Sequence, residues 1–88
     1  MTNMFLERSF DAPLTRDDVI AQARDCGWCF EAHRVNWHGS FLARGGRKLV
    51  CRFEAADAEA VRLAQQKAGM PFTRVWSFET IGKGDLAD

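Results

Sequence analysis

The sequence predicts a single α+β domain, residues 1–88, with elements in the order β-α-β-β-α-β. Four segments alternate apolar and polar residues as strands do, and two segments between them combine a capping residue with apolar residues at helical spacing. With 88 residues, 47% of them hydrophobic and 27% charged, the chain can bury one modest core. We therefore expect one globular domain without internal linkers.

The first strand and helix are predicted from alternation and from a cap. Alternating side chains predict a strand over residues 3–10. Thr15 is a good N-cap, and Asp17 and Asp18 complement the positive end of the helix dipole. The helix should end at Gly27, because glycine readily adopts the left-handed conformation that ends helices.

The middle of the chain predicts a β-hairpin. Residues 31–43 and residues 47–54 both alternate in character along their length. Gly45 and Gly46 lie between them and supply the positive φ angles that tight hairpin turns need. The two segments should therefore form adjacent antiparallel strands.

The last third predicts a second helix and a final strand. Asp57 caps a helix over residues 58–68, which Gly69 ends. Alternation then predicts a strand over residues 72–81, followed by a frayed tail, residues 82–88. The complete order is that of the ferredoxin-like fold, in which two helices cover one face of a four-stranded antiparallel sheet.

The two faces of this sheet should differ in character. The predicted helix-covered face collects large apolar side chains: Leu6, Val35, Trp37, Phe41, Leu49, Cys51, Phe53, Trp76 and Phe78. The opposite face, here called the open face, mixes polar and apolar side chains: Phe5, Glu7, Ser9, Asn36, His38, Ser40, Leu42, Val50, Arg52, Glu54, Val75, Ser77 and Glu79. Because exposed apolar area usually marks an interface, we expect two open faces to pack together in a homodimer, a dimeric α+β barrel.

The open face also carries the side chains with chemistry. Glu7, Glu54 and Glu79 supply carboxylates and His38 supplies an imidazole, which are donors that divalent nickel, zinc, manganese or iron accept. Cys51 is a further possible donor. Carboxylates enclosed together need a cation, so we predict a small homodimeric protein that binds a divalent transition metal on this face.

Three alternatives stay open. The face could be solvated, with Arg52 paired to Glu54 and His38 on the surface. The cavity between two sheets could hold an organic molecule, with Glu7 and His38 in acid–base roles as in a small enzyme. The protein could also have a structural or interaction role only. Whether it is an enzyme is left open.

The charge balance, the hydropathy pattern and the cysteine content argue against a nucleic-acid-binding, membrane or exported protein. Twelve basic and twelve acidic residues cancel, so no positive field attracts nucleic acid. No segment approaches the ~20 apolar residues that a bilayer requires, so we expect neither export nor a membrane partner. Three cysteines cannot all pair in one chain and suit the reducing cytoplasm. Cys26 and Cys29 have CxxC spacing, but at the end of a helix the dipole disfavours thiolates, so we expect structural thiols.

A set of short strings is spread over residues 5–81: Glu7-Arg8-Ser9-Phe10, Leu14-Thr15, Val35-Asn36-Trp37, Ser40-Phe41, Gly46-Arg47-Lys48, Cys51-Arg52-Phe53-Glu54-Ala55, Ala58-Glu59-Ala60-Val61-Arg62 and Ala68-Gly69-Met70-Pro71. Together they resemble a family of small bacterial proteins, catalogued as a domain of unknown function, that includes nickel-binding members. The resemblance implies a dimeric ferredoxin-like fold and nickel as the metal. Glu7, Cys51 and Glu54 match the family strings position by position.

The chain departs from this family at the second strand. The family places a histidine directly before the serine that matches Ser40, where this chain has Gly39, and His38 lies one position earlier. By the period of two, that shift turns the imidazole to the opposite sheet face unless a bulge at Gly39 restores its direction.

Overall fold

The computed structural model describes residues 1–86 and contains a four-stranded antiparallel sheet with two helices. The strands are β1 (Thr2–Ser9), β2 (Asn36–Leu42), β3 (Lys48–Ala55) and β4 (Arg74–Ser77), and the helices are α1 (Arg16–Ala32) and α2 (Ala58–Lys67). The sheet order is β2-β3-β1-β4. The predicted ferredoxin-like fold is confirmed.

The core lies between the helices and the two central strands. β1 and β3 pair along their whole length, and Leu6 lies opposite Cys51. Because directly opposed residues point to the same side of a sheet, the alternate residues of both strands share the helix-covered face. Those side chains are buried: Met4, Leu6, Arg8, Leu49, Cys51, Phe53 and Ala55.

Helix α1 is longer than the sequence predicts. Its start is as expected: the Thr15 hydroxyl accepts a hydrogen bond from the Asp18 amide at 3.2 Å, and the Asp18 carboxylate accepts one from the Thr15 amide at 2.8 Å. The predicted end at Gly27 is wrong, because the helix continues to Ala32. The extra turns bury Phe30 against Phe53, with ring centroids 5.2 Å apart, which offsets the roughly 1 kcal/mol that a helical glycine costs.

The longer helix shortens the second strand, which begins at Asn36. A bulge also interrupts this strand, because Trp37 pairs with Phe53 whereas Gly39 pairs with Arg52. The additional residue, His38, shifts every later side chain to the other face. Phe41, predicted in the core, therefore lies on the open face and is 62% exposed, and Ser40 and Leu42 lie on the covered face.

The side chains of β4 also point to the opposite faces from those predicted. Val75 pairs with Leu6 on the covered face, and Trp76 pairs with Phe5 on the open face. The expectation that Trp76 and Phe78 belong to the core is therefore wrong. Aromatic stacking on the open face explains the difference, since the Phe78 ring stacks on Phe5 with centroids 4.0 Å apart.

The turn between β2 and β3 requires a glycine. The β2–β3 turn holds Gly46 at φ 74°, and a Cβ there would lie inside contact distance of the Leu14 carbonyl oxygen, so only glycine fits.

The regular part of β4 covers residues 74–77, within the predicted 72–81. The predicted tail, 82–88, contains a short 3-10 helix, Lys83–Leu86, and its last two residues lie outside the described part. No helix in residues 1–86 has the length and apolar character needed to cross a membrane.

Candidate functional site

The open face brings one predicted pair of donors together. His38 Nε2 lies 3.8 Å from Glu54 Oε1, and the two side chains are 44% and 36% exposed. Glu54 belongs to β3, and His38 is the bulged residue of the neighbouring strand β2. Trp37 lies opposite Phe53 on the covered face, so alternation directs His38 to the open face, and the bulge changes the faces of the residues that follow.

Glu7 lies on the same face but at a distance from this pair. Its position on β1 is opposite Val50, whereas Glu54 is opposite Asn3, four positions further along the strands. At about 3.3 Å per residue the separation along the sheet is roughly 13 Å. Within one chain, Glu7 therefore does not join His38 and Glu54.

Glu7 has a partner of its own. Its Oε2 accepts from Arg74 Nε at 2.6 Å, and the Glu7 side chain is mostly buried whereas Arg74 is exposed. The two residues are directly opposed across β1 and β4, which is the geometry that favours cross-strand charge pairs. A Glu7 carboxylate held this way is already neutralised by a cation.

The centre of the open face is occupied by Arg52. Its guanidinium carbon lies 5.5 Å from the centroid of the Phe78 ring, a cation–π arrangement. In the described part of the chain, Arg52 forms no ion pair with Glu54, which faces His38 instead, and its buried Nε has no acceptor. The pairing that a merely solvated face would show is therefore not formed.

Cys51 lies on the other side of the sheet. Its Sγ accepts a hydrogen bond from Ser40 Oγ at 3.1 Å, and Ser40 Oγ accepts one from Trp37 Nε1 at 3.0 Å. Burial raises the pKa of the Cys51 thiol, and Ser40 and Arg8 offset that rise only in part. Cys51 is thus separated from the open-face donors by the sheet itself.

The remaining predicted residues also lie apart. Glu79 follows β4 and is exposed. Cys26 and Cys29 are free thiols within α1, one turn apart. No group of three or more His, Cys, Asp or Glu side chains within residues 1–86 is arranged to hold a metal ion. One chain presents two donors, His38 and Glu54.

Comparison with known proteins agrees with the fold. The family model described as "Nickel responsive protein SCO4226-like" matches residues 5–77. The chain belongs to this family. The resemblance drawn from the short strings is confirmed. The crystal structure of SCO4226 from Streptomyces coelicolor A3(2) matches with a TM-score of 0.81 over 91% of this chain and 99% of that chain, at 14% sequence identity. At this level of sequence identity, the match shows that the chain and SCO4226 share a fold. No curated protein matches the chain.

The geometry of the two donors in this SCO4226-like chain suits a transition metal. Ligands about 2.1 Å from one ion lie roughly 3.4 Å apart at the tetrahedral angle, within a few tenths of an ångström of the His38–Glu54 separation. An imidazole nitrogen and a carboxylate oxygen are also donors that nickel and zinc accept. His38 and Glu54 are two donors, fewer than the three or four protein ligands usual for zinc.

Two features of the face were missed from the sequence. Arg74 and Trp76 line the open face only because of the β1–β4 register, which no local pattern encodes. The bulge at His38 had a weak signal, since a glycine inside an alternating strand often marks a bulge. Gly39 is that glycine.

Proposed function

We propose that two copies of the chain pack open face against open face and bind a divalent transition metal, with nickel as the first candidate. His38 and Glu54 are the ligands from each chain. The observation that carries the proposal is the 3.8 Å approach of these two side chains on an exposed sheet face. The family description, which names a nickel-responsive protein, supports the choice of metal.

Completion of the site favours a second chain. Four ligands are usual for zinc, and two protein donors leave the shell half filled. A second open face brings the same two donors again, and water or Glu7 could fill further positions. Glu7 would first have to leave Arg74, so its contribution is secondary to that of His38 and Glu54.

The apolar part of the open face supports the dimer. Phe41 on the edge strand β2 is 62% exposed, and Trp76 on the other edge strand, β4, is 39% exposed and lies beside the stacked Phe5–Phe78 pair. Large apolar side chains exposed on one sheet face often mark an interaction surface. The three free cysteines, Cys26, Cys29 and Cys51, are consistent with a cytoplasmic location, because a reducing compartment keeps thiols unpaired.

Isothermal titration of untagged protein with NiCl₂ tests the metal site. We expect saturable binding that weakens by more than about tenfold in His38→Ala and in Glu54→Gln, since loss of even an outer-shell partner typically weakens binding 10- to 100-fold. His33→Ala is the matched control, because His33 caps α1 and lies away from the open face. Absence of heat, or equal affinity of His38→Ala and His33→Ala, would contradict the proposal.

Light scattering after size exclusion tests the dimer separately. The wild-type chain should elute as a dimer in the presence of nickel, and Phe41→Glu should shift it toward the monomer, because a charge would be buried in the interface. A wild-type monomer at every chain concentration, with nickel bound, would show that one chain completes the site by other means.

A further inference from the structure

A second site is indicated on the opposite side of the sheet from the open face. A cleft of about 330 Å³ lies between α1 and the helix-covered face, here called the inner cavity. Apolar side chains from α1 and β3 form much of its wall, including Val19, Phe30, Leu49 and Phe53. Its volume is at the lower end of the range for small-molecule sites. The cavity has room for a ligand of about ten non-hydrogen atoms, at about 30 Å³ for each water-sized group.

One charged side chain lies in this apolar wall. Arg8 projects from β1 into the inner cavity and is only 7% exposed. Its Nε donates to the Pro71 carbonyl oxygen at 3.1 Å, and Nη1 donates to Gln22 Oε1 at 2.9 Å and to Met70 Sδ at 3.6 Å. Every one of these acceptors is neutral. Within residues 1–86, Arg8 has no carboxylate partner and Nη2 has no acceptor.

The neighbouring thiols do not supply the missing negative charge. Burial raises the pKa of both Cys51 and Cys26, so both are neutral thiols near pH 7. Burial also lowers the pKa of Arg8, but a guanidinium stays protonated in proteins. The inner cavity therefore contains a mostly buried cation without a carboxylate partner, and the Phe10 ring, whose centroid lies 4.9 Å from the guanidinium carbon, offsets part of the cost of its desolvation.

A structural role accounts for the charge only in part, through the cation–π contact with Phe10. The three bonds of Arg8 connect β1 to α1 and to the segment after α2. A neutral donor could make bonds to the same neutral acceptors without the desolvation penalty of a cation. The Phe10 ring is the neighbour in residues 1–86 that uses the positive charge, and it leaves Nη2 free to donate to an anion that enters the cavity.

We propose that the inner cavity binds a small carboxylic acid with an apolar body, whose carboxylate pairs with Arg8. The planar guanidinium fork is suited to a carboxylate, and Nη2 is the free donor. The hydrocarbon part fills the apolar space between α1 and β3. This site is independent of the open face and of nickel.

The sheet order gives the ligand a direction. β1 is two strands from the edge strand β2, so Arg8 lies about 10 Å inside the cavity from that edge. The edge carries Asn36 and Trp37, and the exposed Glu31 of α1 lines the same cavity. Because Glu31 repels a carboxylate and Arg8 attracts it, the bound ligand has its acid group at Arg8 and its apolar tail toward the edge.

Isothermal titration of the 88-residue chain with octanoate, in the presence of a metal chelator, tests the proposal. Octanoate is a carboxylate of about the size of the cavity. We expect saturable binding at one octanoate per chain and at least about tenfold weaker binding of octanamide, which has the same length without the charge. Arg8→Met should remove this preference, and Arg24→Met, a change at an exposed position of α1, should retain it.

A second variant keeps the test decisive if Arg8→Met does not fold. Gly27 lines the cavity, and no atom lies within 4 Å of a Cβ built there. Gly27→Leu should fill the space and weaken octanoate binding at least about tenfold while the helix gains a better helix former. Gly27→Ala is the matched control and should bind octanoate as wild type does.

Several results would overturn the proposal. It fails if wild type does not bind octanoate, if octanamide binds equally well, or if Gly27→Leu binds octanoate like Gly27→Ala. Inorganic phosphate or acetate that binds as tightly as octanoate would show a bare anion site without an apolar ligand. A folded Arg8→Met variant that keeps the preference for octanoate would show that Arg8 is not the partner.

Discussion

The substitution Gly27→Ala separates the helix seen in the structure from the helix end expected from the sequence. If Gly27 were the left-handed residue that ends α1, a methyl group would strain it and lower stability. In the structure, Gly27 lies inside a continuous helix, and no atom lies within 4 Å of the added Cβ. Alanine has less backbone freedom than glycine in the unfolded chain and a higher helix propensity, and both effects stabilise the folded state. We expect Gly27→Ala to raise the free energy of unfolding by about 0.5–1 kcal/mol.

The expected change is large enough to measure. For a domain of this size, 1 kcal/mol corresponds to roughly 4–8 °C in Tm, so the variant should unfold about 2–8 °C higher. Urea titration followed by far-UV circular dichroism gives the free energy directly.

Gly69→Ala provides the matched control. Gly69 also has open space around it, but its φ is 70°, in the left-handed region. A Cβ in that conformation costs about 1 kcal/mol or more, so this variant should be less stable than wild type. The sign of the two changes must therefore differ. If Gly27→Ala were destabilised as much as Gly69→Ala, the continuation of α1 to Ala32 would be refuted.

Two further predictions test the cap and the core. Hydrogen bonds from the Thr15 backbone and side chain lower the pKa of Asp18 below its ordinary value of 3.8, so its stabilisation is present above about pH 4 and is lost as the pH falls through the folded-state pKa. Asp18→Asn should therefore be less stable than wild type at pH 7, and the difference should shrink as the pH falls below about 4, as measured by thermal unfolding; a constant difference would refute the charged cap. Phe53→Ala should lower stability by about 3–5 kcal/mol in urea, because the side chain is fully buried against Phe30. Phe41→Ala should change it by less than about 1 kcal/mol at concentrations where the chain is monomeric, and equal losses would place Phe41 in the core.

Local chemistry was sufficient to predict most of the fold. The Thr15 and Asp57 caps form in the structure as expected, with Asp57 accepting from the Ala60 amide at 2.9 Å. Alternation in β1 and β3 also assigned the right faces, because the two strands pair without a bulge and one of their faces is buried. Where the pattern and the packing agree, a sequence is sufficient.

The errors occur where distant contacts decide the local structure. The end of α1 depends on burial of Phe30 against Phe53, which are far apart in the chain. The phase of β4 depends on its register with β1, which places Trp76 beside Phe5. Neither contact is visible in a local window, so the propensity of Gly27 and the apolar pattern of residues 72–78 gave the wrong answer.

The candidate site was predicted less completely than the fold. Glu7, His38 and Glu54 do share the open face, but their distances follow from strand register, which alternation alone does not encode. His38 approaches Glu54 because Asn36, two residues before it, pairs with Glu54 across β2 and β3, and Glu7 is held instead by Arg74. The inner cavity had no sequence signal, because Arg8 occupies a position in β1 that alternation assigns to the core without indicating its partners.

The two proposed sites are physically separable because the sheet divides them. Cys51 and Arg52 are adjacent in sequence, yet Cys51 lines the inner cavity and Arg52 lies on the open face. Side chains on opposite faces share no hydrogen bonds here, and effects at sites without shared partners usually add. A change at His38 should thus leave the charge at Arg8 unaltered. Nickel binding without octanoate binding, or the reverse, would reject one site and leave the physical basis of the other intact.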